Sequence, residues 1–150
     1  MIPENDFQGK MMKVLLENIS TENFAPFGII LEFPSEVTTS FHIVVREEKS
    51  PWRLALLRFD RRCIERVENH PESMESFEPL EGTAVLLLAE HETPENLRAF
   101  LLDKPVCLFK GVWHDVLALS SEAKVKITEN LEVRSEYHNL EKPVRVFAGD

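Results

Sequence analysis

Thr83-Ala84-Val85-Leu86-Leu87-Leu88-Ala89 is the most apolar run in the chain, and its reading decides the fold class. A run this short, opened by a turn at Glu81-Gly82, reads as a strand with both faces buried. A buried helix is the competing reading, but Gly82 and Pro94 leave it little room.

The stretches on either side are short and β-like. Val14-Leu15-Leu16 predicts a first strand, and Ser20 or Thr21 caps a single helical turn that Pro26 and Gly28 close. Gly28 to Phe33 predicts a strand stopped by Pro34. Ser40 to Arg46 and Trp52 to Phe59, separated by charges and Pro51, predict a hairpin. Cys63 to Val67 alternates polar and apolar groups before His70-Pro71. Asn96 to Leu102 carries Leu97, Phe100 and Leu101 at helical spacing and is open between helix and strand. Val106 to Phe109, Val116 to Leu119, Val125 to Ile127 and Val144 to Phe147 complete the set. About nine short strands without crossover helices predict an all-β barrel or sandwich and disfavour a parallel α/β architecture.

At 150 residues the chain has the size of one domain with a sizeable core. A formal charge of −9, from 17 basic and 26 acidic residues spread along the chain, predicts no nucleic-acid partner. The first ten residues lack the apolar core of a signal peptide, and no apolar run approaches the roughly 18 residues of a membrane span. Those absences predict a cytoplasmic protein with no membrane partner. Cys63 and Cys107 form no CxxC pair and read as two reduced thiols.

Two stretches carry candidate chemistry. In Glu68-x-His70-x4-Glu75 the first two residues share one side of a strand, and Glu75 joins them if the intervening chain bends. Imidazole with carboxylate makes either a divalent-metal shell or an acid–base pair, and a solvated strand edge ending at Pro71 is the plain structural reading. In Gly111-x-x-His114 a strand puts Trp113 and Asp115 on one face and His114 and Val116 on the other. His114 is then either a functional imidazole or a hydrogen-bonded residue at a barrel rim.

Glu68-x-His70-x4-Glu75-x6-Gly82 resembles the first cupin motif, Gly-x5-His-x-His-x3-4-Glu-x6-Gly, with Glu68 at the first histidine position. Gly111-x-x-His114 resembles the core of the second, Pro-x-Gly-x-x-His, with Phe109 where proline is usual. Phe24-Ala25-Pro26-Phe27-Gly28, Arg58, His70-Pro71, Phe77-x-Pro79, Gly82, Leu97-Arg98-Ala99-Phe100 and Val112-Trp113-His114 are similar, in order, to the ureidoglycolate lyase family over roughly residues 13 to 128.

The resemblance implies a cupin-type double-stranded β-helix barrel, or jelly roll. Residues 1–12 are then an N-terminal extension and residues 13–150 a single barrel domain that includes a polar C-terminal segment, 128–150. It favours a strand at Asn96 to Leu102. It implies one divalent metal (Ni, Mn, Fe or Zn) on Glu68, His70, Glu75 and His114, with a metal-free site as the alternative. It implies a small anionic metabolite as partner, cleavage of ureidoglycolate to glyoxylate and urea, and a homodimer. His70 or Glu75 would act as base and His114 as acid. Arg58 would hold the substrate carboxylate, and Phe77, Phe100, Phe109 and Trp113 would wall the pocket. A non-catalytic ligand-binding cupin and a cupin metalloenzyme with another substrate are the alternatives. The chain departs from the family pattern at Glu75, where glutamine is common, at Phe109, where histidine is common, and at Asp115-Val116, where His-Pro is common.

Overall fold

Leu86 and Leu88 point to one side of their strand and Val85 and Leu87 to the other, and each side meets a different core. That double burial is why the run lacks alternation. The computed structural model describes residues 11–149, so residues 1–10 of the expected N-terminal extension and Asp150 lie outside the described residues.

Eleven strands and one helical turn follow in order: β1 (Met12–Asn18), α1 (Thr21–Phe24), β2 (Gly28–Ile30), β3 (Trp52–Phe59), β4 (Ile64–Asn69), β5 (Glu75–Glu81), β6 (Ala84–Ala89), β7 (Arg98–Leu101), β8 (Val106–Leu108), β9 (Trp113–Ala118), β10 (Ala123–Asn130) and β11 (Glu136–Phe147). Six of them close into a ring in the order β1-β11-β4-β9-β6-β7, and the other five form a second sheet, β2-β8-β5-β10-β3. The ring closes because β1 pairs in parallel with β11 through Met12 to Leu15 and with β7 through Leu16 to Asn18. At β4 and β9 it is joined through a single residue pair, Glu68 with His114. The chain is all-β, with the two-sheet arrangement of a cupin-type jelly roll.

Each sheet contributes one row of side chains to the space between them. Leu86, Leu88, Phe100 and Val116 from the ring meet Phe77, Leu108, Val125 and Ile127 from the second sheet. The opposite rows, with Val67, Val85, Leu87, Ala99, Trp113, Leu117 and Val144, fill the ring itself. The turn α1 carries a capping box: Ser20 Oγ accepts from Asn23 N at 3.2 Å, and Ser20 N donates to Asn23 Oδ1 at 2.8 Å. It delivers Phe24 and Phe27 edge-on to Phe100, with ring centroids 5.4 and 5.6 Å away.

The expected hairpin of Ser40 to Arg46 with β3 does not form. β3 pairs along its whole length with β10, from Phe59 opposite Ala123 to Trp52 opposite Asn130. The 40–46 segment, with Phe41 79% and Ile43 53% exposed, runs without strand pairing. Its continuation, Val45 to Ser50, borders a groove of about 500 Å³ with Trp52 and Leu54 of β3. β-branched and aromatic content does not by itself make a strand; pairing decides it. The expected strand from Gly28 to Phe33 ends at Ile30, where β2 stops pairing with β8. The C-terminal segment is not a tail: β11 is the longest strand, lying between β1 and β4. Cys63 and Cys107 are both free thiols. Among the described residues no helix is long and apolar enough to cross a membrane.

Gly28 is set by space. A Cβ there would lie 2.2 Å from the carbonyl oxygen of Cys107 on β8. Gly28→Ala is therefore expected to lower stability by about 1–3 kcal/mol, an overpacking cost, read as a lower denaturant midpoint with unchanged slope.

Candidate metal centre

Among the described residues the inward rows of the second sheet have one charged rung. Arg53 on β3 lies opposite Glu129 on β10, which lies opposite Glu75 on β5. All three continue rows that otherwise point into the space between the sheets: Ala55 and Leu57 after Arg53, Val125 and Ile127 before Glu129, Phe77 after Glu75. Across from it stands the rung of the ring that pairs Glu68 with His114. His70, just past the end of β4, adds its side chain from the turn to β5, so the residues between it and Glu75 do bend as the spacing required.

Glu75 is the hub. Its Oε2 is 2.9 Å from His70 Nε2 and 3.2 Å from His114 Nε2, all three side chains being almost fully buried. Glu68 Oε1 lies 3.8 Å from His114 Nε2, and Glu129 Oε1 lies 4.0 Å from His70 Nε2. The imidazole rings meet edge to face, 5.0 Å apart, with Phe77 5.9 Å from His114.

Each ring is oriented from behind. His114 Nδ1 donates to Val112 O at 3.0 Å, and His70 Nδ1 lies 3.3 Å from Arg134 O and 3.1 Å from Ser135 Oγ. A carbonyl can only accept, so in the neutral rings the proton sits on Nδ1 and the Nε2 lone pair faces Glu75. Glu75 Oε2 and His114 Nε2 are buried and have no partner in hydrogen-bond geometry despite their short separation. Two lone pairs aimed at an anionic oxygen need positive charge between them, supplied by protons or by a cation.

The titration behaviour says the same. Burial pushes Glu75 up, but the charge of His114 and then the contacts of both imidazoles outweigh it and hold the carboxyl at about 2. Burial pushes His114 down, but Glu75 outweighs it and raises the imidazole to about 9. His70 moves the same way: burial lowers it and Glu75 more than compensates. Because the geometry is not that of directed hydrogen bonds, charge is the main cause of this coupling.

The donor set fits a divalent cation. Glu68, His70 and His114 form one cluster with ligand atoms within 4.8 Å of one another, and His70, Glu75 and Glu129 form a second. Mixed imidazole and carboxylate donors suit Mn, Fe, Ni or Zn.

The other expected site residues are placed elsewhere, except Phe77, which borders the cavity of about 300 Å³ in front of the cluster. Arg58 belongs to the outward row of β3, exposed opposite Lys124. Phe100 packs in the core against Phe24 and Phe27, away from the cavity. Phe109, 40% exposed, borders a separate groove with Phe24 and His42. Trp113 fills the ring, on the face opposite His114. Strand parity explains Arg58 and Trp113, since neighbours along a strand face opposite ways.

Four charged residues at the cavity have no counterpart in the expected set: Arg53, Arg61, Asp115 and Glu129. Arg53 Nε and Nη2 both donate to Glu129 Oε2, at 3.0 and 2.6 Å. Arg61 Nη1 lies 3.5 Å from Asp115 Oδ1. Burial raises Asp115, and Arg61 only partly opposes it. The signal for Arg53 and Glu129 is in the sequence: each interrupts an apolar every-second-residue row, and their charges are opposite.

The sequence model of the family described as Ureidoglycolate lyase matches residues 37–146. A ureidoglycolate lyase from Rhodobacter capsulatus is 27% identical over 128 residues, spanning 72% of this chain and 80% of that protein. Among solved structures, a dTDP sugar isomerase from Desulfovibrio desulfuricans G20 superposes with a TM-score of 0.53 at 15% identity, covering 75% of this chain and 82% of that one. Bacillus subtilis oxalate decarboxylase superposes with a TM-score of 0.44 at 13% identity, covering 61% of this chain and 24% of the other.

Proposed function

The chain belongs to the ureidoglycolate lyase family, and from that premise we propose that it cleaves ureidoglycolate, or a related small hydroxy acid, to glyoxylate and urea. One observation carries the reading: two imidazole Nε2 atoms meet a carboxylate oxygen at 2.9 and 3.2 Å, buried and facing a cavity that also holds two guanidinium groups. Glu68, His70, Glu75 and His114 would hold one divalent ion. Bound there, it supplies Lewis-acid polarisation of the carbinol or carboxylate oxygen.

The remaining work falls to side chains. Arg61 takes the substrate carboxylate, since its one contact to Asp115 is 3.5 Å long, whereas Arg53 is already committed to Glu129 by two short hydrogen bonds. Glu129 has one free oxygen: Oε2 is occupied by Arg53, and Oε1 faces His70. That oxygen accepts the carbinol proton as the O–H electrons form the new C=O bond. The C–N electrons leave with the urea nitrogen, which takes the proton back from Glu129. One carboxyl group thereby balances both transfers.

A metal-free version is favoured by the raised pKa of His114. Protonated at neutral pH, His114 would donate to the urea nitrogen. Glu75, held at about 2, is too weak a base for the carbinol proton, and His70 is itself shifted towards its protonated form, so that proton again goes to the free oxygen of Glu129.

Purified protein should release glyoxylate from ureidoglycolate, and chelation followed by readdition of Mn, Ni, Zn or Fe separates the two versions. Release no faster than the uncatalysed rate under every metal condition would overturn the lyase reading. Arg61→Ala is expected to raise KM about ten- to hundredfold, the worth of a charge-assisted contact, with little change in kcat. Arg58→Ala, on the outer face, should stay within about twofold of wild type on both.

A further inference from the structure

Gly111 links the two chain segments that carry the imidazoles of the cluster. Its N–H donates to the carbonyl of His70 at 3.0 Å, and the carbonyl of the next residue, Val112, accepts from His114. Its φ is +81°, so the backbone here is in the left-handed region that glycine tolerates best. Left alone, such a position is soft, and softness at Gly111 would loosen the spacing of His70 and His114 together.

His91, on the loop between β6 and β7, removes that softness. Its Nδ1 donates to the carbonyl of Gly111 at 3.0 Å, and its own carbonyl accepts from Trp113 Nε1 at 2.9 Å. Its ring lies parallel to the Trp113 indole, 6.0 Å away with planes 8° apart. The ring also occupies the space beside Gly111, 3.4 Å from where a Cβ would be. His91 therefore grips the 111–113 segment by backbone, side chain and stacking, and that segment grips both candidate ligands.

We propose that His91 is a positioning residue that sets the distance and orientation of His70 and His114 through Gly111. It touches neither the cavity nor its ligand atoms, and it acts as the outer layer that aims a metal-binding pair. The inference rests on the reading of the cluster as a cation site, and is independent of which substrate is cleaved.

Two variants of the full chain separate positioning from general support. His91→Phe keeps a flat ring on Trp113 and loses the donor. His91→Asn keeps an N–H near the position of Nδ1 and loses the ring. The readouts are the Mn(II) dissociation constant, by titration at fixed pH, and the imidazole nitrogen resonances of His70 and His114 in the metal-free protein. H91F is expected to weaken Mn(II) binding about 10- to 100-fold and to shift both sets of resonances. H91N should recover most of the affinity. Wild-type affinity and unmoved resonances in H91F would overturn the proposal, as would equal losses in both variants that track a fall in Tm. If the wild type binds no divalent ion, the cation reading fails, and the resonances alone still decide the role of His91.

Discussion

Glu75→Gln, which brings in the residue common in the family, is expected to weaken divalent-metal binding about a hundredfold or more and to lower the titration of both histidines, while leaving the fold nearly intact. The substitution keeps shape and volume and removes one charge, at the oxygen nearest both imidazole Nε2 atoms. Removing one partner of a buried ion pair normally costs about 3–5 kcal/mol, because the other is left charged and alone. Imidazoles escape most of that cost by losing their protons, so the change shows in ligand affinity and in titration more than in unfolding. In E75Q both histidines should titrate lower, since Glu75 is what raises them against burial. Metal titration, the histidine titration curves and the Tm check the three parts separately. An E75Q protein that held Mn(II) as tightly as wild type would remove Glu75 from the ligand set.

The second large effect is with pH. In the metal-free protein His114 moves from an ordinary 6.5 to about 9, so its stabilising contribution is complete below about 6.5 and is lost as pH rises through about 9. Glu75 moves from 4.5 to about 2, so its contribution is present above about 4.5 and lost as pH falls through about 2. The cluster therefore supports the empty fold best between about 4.5 and 6.5. A cation reverses the upper limit, because it must displace the protons it replaces. Below about 9, each displaced proton makes affinity climb about tenfold per pH unit, so the His114 proton alone should make Mn(II) bind about a hundredfold more tightly at pH 8 than at pH 6. Proton release on binding, measured by calorimetry in buffers of different ionisation heat, gives the count directly. A flat affinity over that interval would show that no imidazole proton is displaced.

Much of this architecture is written locally in the chain. The run from Ala84 to Ala89 is apolar at every position because both of its faces are buried, and Ser20 announces the turn α1 by its capping chemistry. The spacing of Glu68, His70, Glu75 and Gly111-x-x-His114 marks residues that the fold brings together. What is not local is pairing. β3 finds its partner in β10, about seventy residues on, and nothing in the 40–46 segment reveals that it will be passed over. The phase of β3 is equally hidden, because both of its rows are rich in apolar groups: Trp52, Leu54 and Leu56 outward, Ala55, Leu57 and Phe59 inward. Arg53 and Arg58 sit on opposite rows, so the choice between them needs the sheet. Phe100, Phe109 and Trp113 show the same limit, since aromaticity says that a side chain wants burial without saying in which of two cores.

The pairing of Glu68 with His114, the only backbone-paired residues between β4 and β9 among the described residues, gives the site a second meaning. The strands at that seam carry two members of the cluster, so parting the ring there and scattering the ligands are one event. A cation clasped between them would act as a latch on the seam of the ring with the fewest backbone-paired residues. Its loss would be felt as breathing of β4 against β9 long before the cores on either side began to melt.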